Sequence, residues 1–263
     1  MDMGLKNKTA VVLGGSKGIG FAIAKEFLKE GSKVAICARN SQELKKAAEE
    51  LMELGEVYYE SVDVTDDKKL YEFADNVAKR FHGIDCWINN VGATLSKEGN
   101  EYTSEEIDKI TSICFKSAIF GCQAAFRYMK ETGGSIVNIS SLAARCPSAG
   151  RSTLYGPLKA AIVNLTNTFA GEYAAYGVRV TCIMPGFTLT PMVRETISEE
   201  ELKYNAGGTL LQRLAEPHEI AKPVIFLASD AASYMTGTTI EVSGGRSVTL
   251  NPTFSFEQKN RIM

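Results

Sequence analysis

Tyr155 and Lys159 stand four residues apart in the stretch STLYGPLKAA, with Pro157 between them. On a helix, side chains at i and i+4 share one face. An ammonium facing a phenol favours the phenolate, so the pair is either an idle surface contact or a proton-transfer device. Pro157 is tolerable if it lies in the first turn or two, where backbone amides lack intrahelical partners. A second stretch, VVLGGSKGIGFAIA, runs from a strand-like segment into glycines at 14, 15, 18 and 20 and then into a helical pattern. Glycines let a backbone turn tightly and approach a pyrophosphate, and free amides at a helix start attract its charge. In units that bind NAD, an acid about 20 residues further on bonds the ribose 2′-hydroxyl. The corresponding segment, VAICARN, contains no acid; Arg39 stands there, and Lys17 lies in the glycine turn. Two cations on one spot suit a 2′-phosphate, so NADP(H) is expected over NAD(H).

These groups need a scaffold, and the hydrophobic pattern supplies one. Strands are expected at 9–13, 33–37, 57–61, 85–89, 135–140, 179–184 and 238–242. Helical patterns lie between them at 19–30, 41–54, 69–81, about 104–130 and about 153–176. Nearly continuous apolar strands separated by helices indicate a parallel sheet covered on both faces. The expectation is a single α/β domain, a Rossmann-type doubly wound sheet of about seven strands over residues 1–246. Residues 191–216 break the alternation and read as a helical insertion or lid. Residues 247–263 form a C-terminal extension carrying Phe254 and Phe256, which pack on a neighbouring subunit or near the pocket, or form a loosely held end.

Composition narrows the partners. With 44% hydrophobic and 23% charged residues in 263, the chain has ordinary globular make-up. No apolar run reaches the roughly 18 residues a membrane span needs. The net charge of −2, without a basic block, argues against nucleic acid. The N-terminal MDMGLKNKTAVV lacks the features of a secretory signal. Six cysteines without a C-x-x-C pair, mostly in apolar company, suggest buried thiols in a reducing cytoplasm, and only two histidines weaken any metal site.

Several of these pieces together resemble the short-chain dehydrogenase/reductase family. GGSKGIG is similar to its glycine motif, with Leu13 where a threonine is usual, and implies cofactor contacts from Gly14, Ser16, Lys17, Gly18, Ile19 and Gly20, followed by Arg39 and Asn40. DVTD resembles the adenine-contacting turn through Asp63 and Val64. NNVG resembles the motif that supports the central strand and the cofactor ribose through Asn90 and Gly92. Ser141, Tyr155 and Lys159 fall at the catalytic serine and the Tyr-x-x-x-Lys pair. PGFTLTPM resembles the segment that holds the nicotinamide amide, implicating Pro185, Gly186, Thr188 and Thr190. The likeness runs from about residue 6 to 246, with the motifs in the family's order.

The resemblance implies that Tyr155 protonates a carbonyl or deprotonates an alcohol, that Lys159 supplies charge and binds the nicotinamide ribose, and that Ser141 orients the substrate oxygen. One departure stands out: Cys114 occupies the position of an asparagine that holds a relay water through its backbone. A thiol is a weak donor and acceptor, so the side chain's part is expected to be lost while a backbone carbonyl remains. The segments expected to wall the pocket contribute Leu95, Leu142, Cys146, Phe187 and Met192, a mostly apolar set that suits a bulky ketone or secondary alcohol such as a steroid or bile acid. The alternatives are reduction of 3-oxoacyl thioesters on acyl carrier protein, and a cofactor-binding scaffold or redox sensor with weakened turnover. The family also implies a dimer or tetramer built through the two long helices.

Overall fold

The computed structural model describes residues 2–94, 101–146 and 153–262, with side chains as far as residue 259. Seven strands form one parallel sheet: β1 (Thr9–Leu13), β2 (Lys33–Ala38), β3 (Val57–Ser61), β4 (Cys86–Asn89), β5 (Gly134–Ile139), β6 (Val178–Pro185) and β7 (Thr239–Val242), in the order β3-β2-β1-β4-β5-β6-β7. The chain steps outward from β1 to β3, then crosses back to lay β4 against the other side of β1. That reversal opens a crevice at the carboxyl ends of β1 and β4, where doubly wound sheets take their ligands.

The connecting helices are α1 (Gly18–Lys29), α2 (Ser41–Met52), α3 (Asp67–Phe81), α4 (Ser104–Thr111), α5 (Ser117–Met129), α6 (Tyr155–Tyr173), α7 (Pro191–Thr196), α8 (Glu199–Gly207), α9 (Pro217–Ala228) and α10 (Phe254–Ile262). Alternate strand residues point to opposite layers. Val12, Ile36, Ile88 and Val137 pack with α1, α2 and α9. Val11, Ala35, Trp87 and Ile136 pack with α3, α5 and α6. This double cover explains why the strands read as unbroken apolar runs. Each fully buried large side chain, Trp87, Phe27 and Phe73 among them, contributes on the order of 2–3 kcal/mol of apolar burial.

All seven expected strands are present, and so are the five expected helical patterns. Two differences carry a physical lesson. The pattern expected at 104–130 is interrupted by a π turn, Ser112–Lys116, between α4 and α5. The sequence reading did not anticipate α9, whose segment PHEIAKPVIFLA holds Pro223 mid-helix. Its start is nonetheless well specified, with Pro217 in the first turn and the Glu219 carboxylate accepting the Glu216 amide at 2.9 Å. Burial of Ile220, Ala221, Val224, Ile225 and Leu227 outweighs the cost of the interior proline. Among the described residues no helix is long and apolar enough to cross a membrane.

Candidate active site

The glycine turn between β1 and α1 is shaped by what a side chain would strike. Gly14 and Gly18 have φ of 74° and 60°, the left-handed region that favours glycine. A Cβ on Gly20 would overlap the Gly14 carbonyl oxygen. The Asn90 side chain donates to the carbonyls of Leu13 and Gly14, both at 3.2 Å, tying the end of β4 to the turn. On the other side, a Cβ at Gly18 would lie 3.2 Å from Thr190 Cγ2. Lys17, at the N-cap of α1, makes no side-chain bond to the first-turn amides. A backbone cradle with those amides at its floor fits a pyrophosphate.

The far end of the crevice is more crowded than the sequence suggested. Arg39 is exposed at the end of β2, its carbonyl accepting from Ser61 Oγ at 3.0 Å. The Asn40 side chain is committed to capping α2, accepting the Gln42 and Glu43 amides at 3.0 and 3.2 Å. Lys17 Nζ sits 3.2 Å from Glu43 Oε2, an ion pair that strand-by-strand reading did not find. The Asp63 carboxylate accepts from the amide and hydroxyl of Thr65 at 3.0 and 2.8 Å. Burial works to raise that carboxyl, but the Thr65 bonds and the Arg39 charge prevail and hold it below the usual carboxylate range. Val64 beside it is buried.

Tyr155 opens α6, and Pro157 falls in its first turn, where its missing N–H costs nothing. One turn on, Lys159 is 3% exposed, its Nζ donating to the Ile139 carbonyl at 2.8 Å and lying 5.8 Å from the centre of the Tyr155 ring. A buried ammonium survives only with partners of this kind. Gly92 makes room for it: a Cβ there would stand 3.0 Å from Nζ. The helix is clamped to β5 twice more, by Ser140 Oγ donating to the Lys159 carbonyl at 2.7 Å and by Asn138 Nδ2 donating to Thr166 Oγ1 at 3.0 Å. Asn138 in turn accepts from Asn89 at 2.8 Å, so β4, β5 and α6 share one buried polar network. Ser141 lies two residues beyond the end of β5. Its Oγ accepts the Ala143 amide at 3.2 Å, which starts the short 3₁₀ turn Leu142–Ala144 packed on α6 and leaves the hydroxyl proton to donate.

Cys114 lies in the π turn, 1% exposed. Its thiol donates to the Ala93 carbonyl at 3.1 Å and accepts the Ala93 amide at 3.4 Å. This contact is separate from the part in the relay that the sequence reading expects to be lost. The thiol bridges both backbone groups of the residue next to Gly92, and so tethers the segment that faces the Lys159 ammonium. π turns recur at functional sites because they re-aim the groups within them. The other cysteines are free thiols, Cys37, Cys86, Cys122 and Cys182 buried and Cys146 exposed. Burial pushes Cys37, Cys86 and Cys122 up to about 12. Among the described residues no group of three or more His, Cys, Asp or Glu is placed to hold a metal.

The opposite wall begins at Pro185 and Gly186, the latter donating its amide to Val242 at 2.9 Å. Thr188 is buried, its hydroxyl donating to the Gly186 carbonyl at 3.1 Å, and Thr190 caps α7 by accepting the Val193 amide at 3.3 Å. Beyond it α7 and α8 form the expected helical insertion, anchored by Arg194 to Glu216 at 2.8 Å and by the two-pronged Arg213–Glu219 pair at 2.6 and 2.7 Å. Of the apolar wall candidates, Leu142 is buried, Phe187 half-buried, and Met192 and Cys146 exposed. Leu95 lies outside the described residues, as do 96 and 147–150 of the segments expected to wall the pocket. Close by, at the carboxyl end of β7, is a polar groove of about 700 Å³ that reaches neither Tyr155 nor Lys159. Arg145 and Glu241 meet in it at 3.0 Å. A charged pair so close to the expected apolar wall was not read from the sequence; the partners are 96 residues apart.

A doubly wound sheet with a glycine cradle at its switch point and a tyrosine–lysine pair beside a serine defines a nucleotide-binding oxidoreductase class. The family profile described as enoyl-(acyl carrier protein) reductase matches residues 14–247. A 3-oxoacyl-(acyl-carrier-protein) reductase of Chlamydia trachomatis is 36% identical over 92% of this chain and 98% of its own length. A 3alpha-hydroxysteroid dehydrogenase of Mediterraneibacter gnavus is 34% identical over 93% and 98%. The solved structure of L-sorbose reductase from Gluconobacter frateurii, complexed with NADPH and L-sorbose, superposes with a TM-score of 0.88 at 31% identity, covering 95% of this chain and all of that one. The chain belongs to the short-chain dehydrogenase/reductase family, and is an oxidoreductase of that type.

Proposed function

We propose that this chain is an NADP(H)-dependent enzyme that interconverts a ketone and a secondary alcohol on a bulky, largely apolar substrate of the hydroxysteroid or bile-acid kind. The observation that carries the reading is the buried Lys159 ammonium, held on the Ile139 carbonyl one helical turn from Tyr155. Tyr155 gives its hydroxyl proton to the carbonyl oxygen in reduction and takes it back from the alcohol in oxidation. Lys159 stabilises the negative charge that forms on the phenol oxygen meanwhile. Ser141 donates to the same substrate oxygen and fixes its position as charge develops. The cofactor, when bound, supplies or accepts the hydride. Gly14, Ser16, Gly18, Ile19 and Gly20 hold its pyrophosphate, Lys17, Arg39 and Asn40 the 2′-phosphate end, and Asp63 and Val64 the adenine. Asn90, Gly92 and Lys159 hold the nicotinamide ribose, and Pro185, Gly186, Thr188 and Thr190 the amide.

Support for the phosphate-bearing cofactor is the absence of an acid at the end of β2, where Arg39 stands, and the NADPH in the sorbose reductase structure. Support for the substrate class is the apolar set Leu142, Phe187 and Met192, together with the hydroxysteroid dehydrogenase among the relatives. We further infer a cytoplasmic homo-oligomer, dimer or tetramer, whose one partner besides its own copies is the small-molecule substrate.

The test is oxidation of NADPH and NADH in parallel against ketones from small aliphatic to steroid, with an oxoacyl thioester included. Turnover preferring NADPH and a bulky apolar ketone, reduced at least a thousandfold in Tyr155→Phe, is expected. Preference for the thioester would replace the substrate class. Tight NADPH binding with no turnover on any ketone would favour a cofactor-binding scaffold.

A further inference from the structure

The groove at the carboxyl end of β7 is walled by two chain segments that also bound the active site. Arg145 belongs to the turn that begins at Ser141. Ser243 packs on Gly186 so closely that a Cβ on the glycine would come within 2.8 Å of the Ser243 Cα. The groove is open at the surface, with a volume of about 700 Å³. Its chemistry is mixed: Glu241, Ser243 and Ser247 supply acceptors, Arg145 supplies donors, and Val242 and Val248 form an apolar strip.

The hydrogen-bond count in this cluster is specific. Glu241 Oε1 accepts from Ser243 and, at 2.7 Å, from Ser247. Oε2 accepts from Arg145 Nη1 at 3.0 Å. A carboxylate oxygen has two lone-pair sites, so Oε1 is filled and Oε2 has capacity for one more donor. The guanidinium beside it carries five N–H donors, one of them used on Glu241. The Arg145 side chain is 66% exposed, so its other donors face water, and a group that donates and accepts through one atom would replace water at both the cation and Oε2. A hydroxyl does this. A carboxylate would meet the charge of Glu241, an ammonium that of Arg145, and a bare hydrocarbon would strip both of water without replacement.

We propose that this groove is a subsite for the part of the substrate remote from the reacting carbonyl, and that Glu241 and Arg145 together select substrates bearing a hydroxyl there. The proposal deepens the carbonyl-reductase reading and rests on it for the placement of the reacting end. It makes the substrate a hydroxylated ketone rather than a plain one.

The experiment compares bulky ketones in matched pairs that differ by one hydroxyl on the side away from the carbonyl, such as a monoketosteroid and its hydroxylated counterpart. Wild-type enzyme should prefer the hydroxylated member about tenfold in kcat/KM, through KM with kcat shared, because the contact is equal in ground and transition states. Glu241→Gln and Arg145→Met should each bring that ratio to about twofold or less. A ratio near one in wild type, or one that persists in both variants, overturns the subsite. If no ketone turns over, the carbonyl reading fails instead. The same pairs are then titrated onto the NADPH-loaded protein by calorimetry, where equal affinities overturn the subsite independently. Thermal melting of each variant shows whether it is folded, and Ser247→Ala, which removes one bond to Oε1, gives a milder perturbation expected to shift the ratio in the same direction.

Discussion

Chemistry at single positions here depends on what each side chain is bonded to. Cys114 is the clearest example, because its thiol serves as both donor and acceptor to Ala93. Asparagine offers the same two functions, and valine neither. Cys114→Val should lower kcat about tenfold, the loss of two weak hydrogen bonds, whereas Cys114→Asn should hold it near wild type; steady-state rates over a pH range check both. Thr181 gives a stability prediction. Its hydroxyl is fully buried in β6 and has no hydrogen-bond partner among the described residues. Valine has nearly the same shape without that group, so Thr181→Val should stabilise the fold by about 1 kcal/mol in urea unfolding.

Packing between elements decides whether those residues meet. The Asn89–Asn138–Thr166 network and the Ser140 bond hold α6 on β5, and Lys159 rides on that clamp. Asn138→Ala would leave Asn89 and Thr166 short of partners in a dry interior. Destabilisation of about 2–3 kcal/mol is expected, roughly 4–12 °C in melting temperature for a domain of this size, with a fall in kcat larger than any change in cofactor affinity. At the other wall, Arg213, which follows α8, is joined to α9 through Glu219. The side-chain bond from Arg213 and the Glu216 amide hold that carboxyl down at about 2, against an ordinary 4.5. A depressed acid contributes its stability above the unfolded value and loses it as the pH falls toward the folded one. The pair is largely exposed and screened by solvent, so its contribution is small. Glu219→Gln should melt slightly below wild type at neutral pH, and the gap should narrow as the pH drops from 4.5 toward 2 in a calorimetric series.

The whole molecule is one sheet with two covered faces, and the inferred oligomer is a question at this scale. Ile119 and Phe120 on α5, and Leu158, Val163 and Leu165 on α6, are half-buried rather than enclosed. They line the two long helices through which the oligomer is inferred to form. Light scattering should give a mass of two or four chains, and Phe120→Asp should lower it; a single-chain mass in the wild type would refute the assembly.

The sequence alone determined the seven strands, because period and local spacing report on neighbours along the chain, and its resemblance to the family implied the class of chemistry. Tyr155 and Lys159 lie one turn apart whatever else folds, and the glycine turn follows β1 directly. Residues 217–228 escaped notice because Pro223 is a local signal, while the burial that overrides it is contributed by α1, β5 and β6. Tertiary structure alone decided the contacts between residues distant in the chain. It set the Lys159 ammonium on the Ile139 carbonyl, joined the Cys114 thiol to Ala93, paired Lys17 with Glu43, and brought Arg145 to Glu241. The physical reason is that a hydrogen bond depends on distance and direction in space, which sequence spacing constrains only within a single helix, strand or turn.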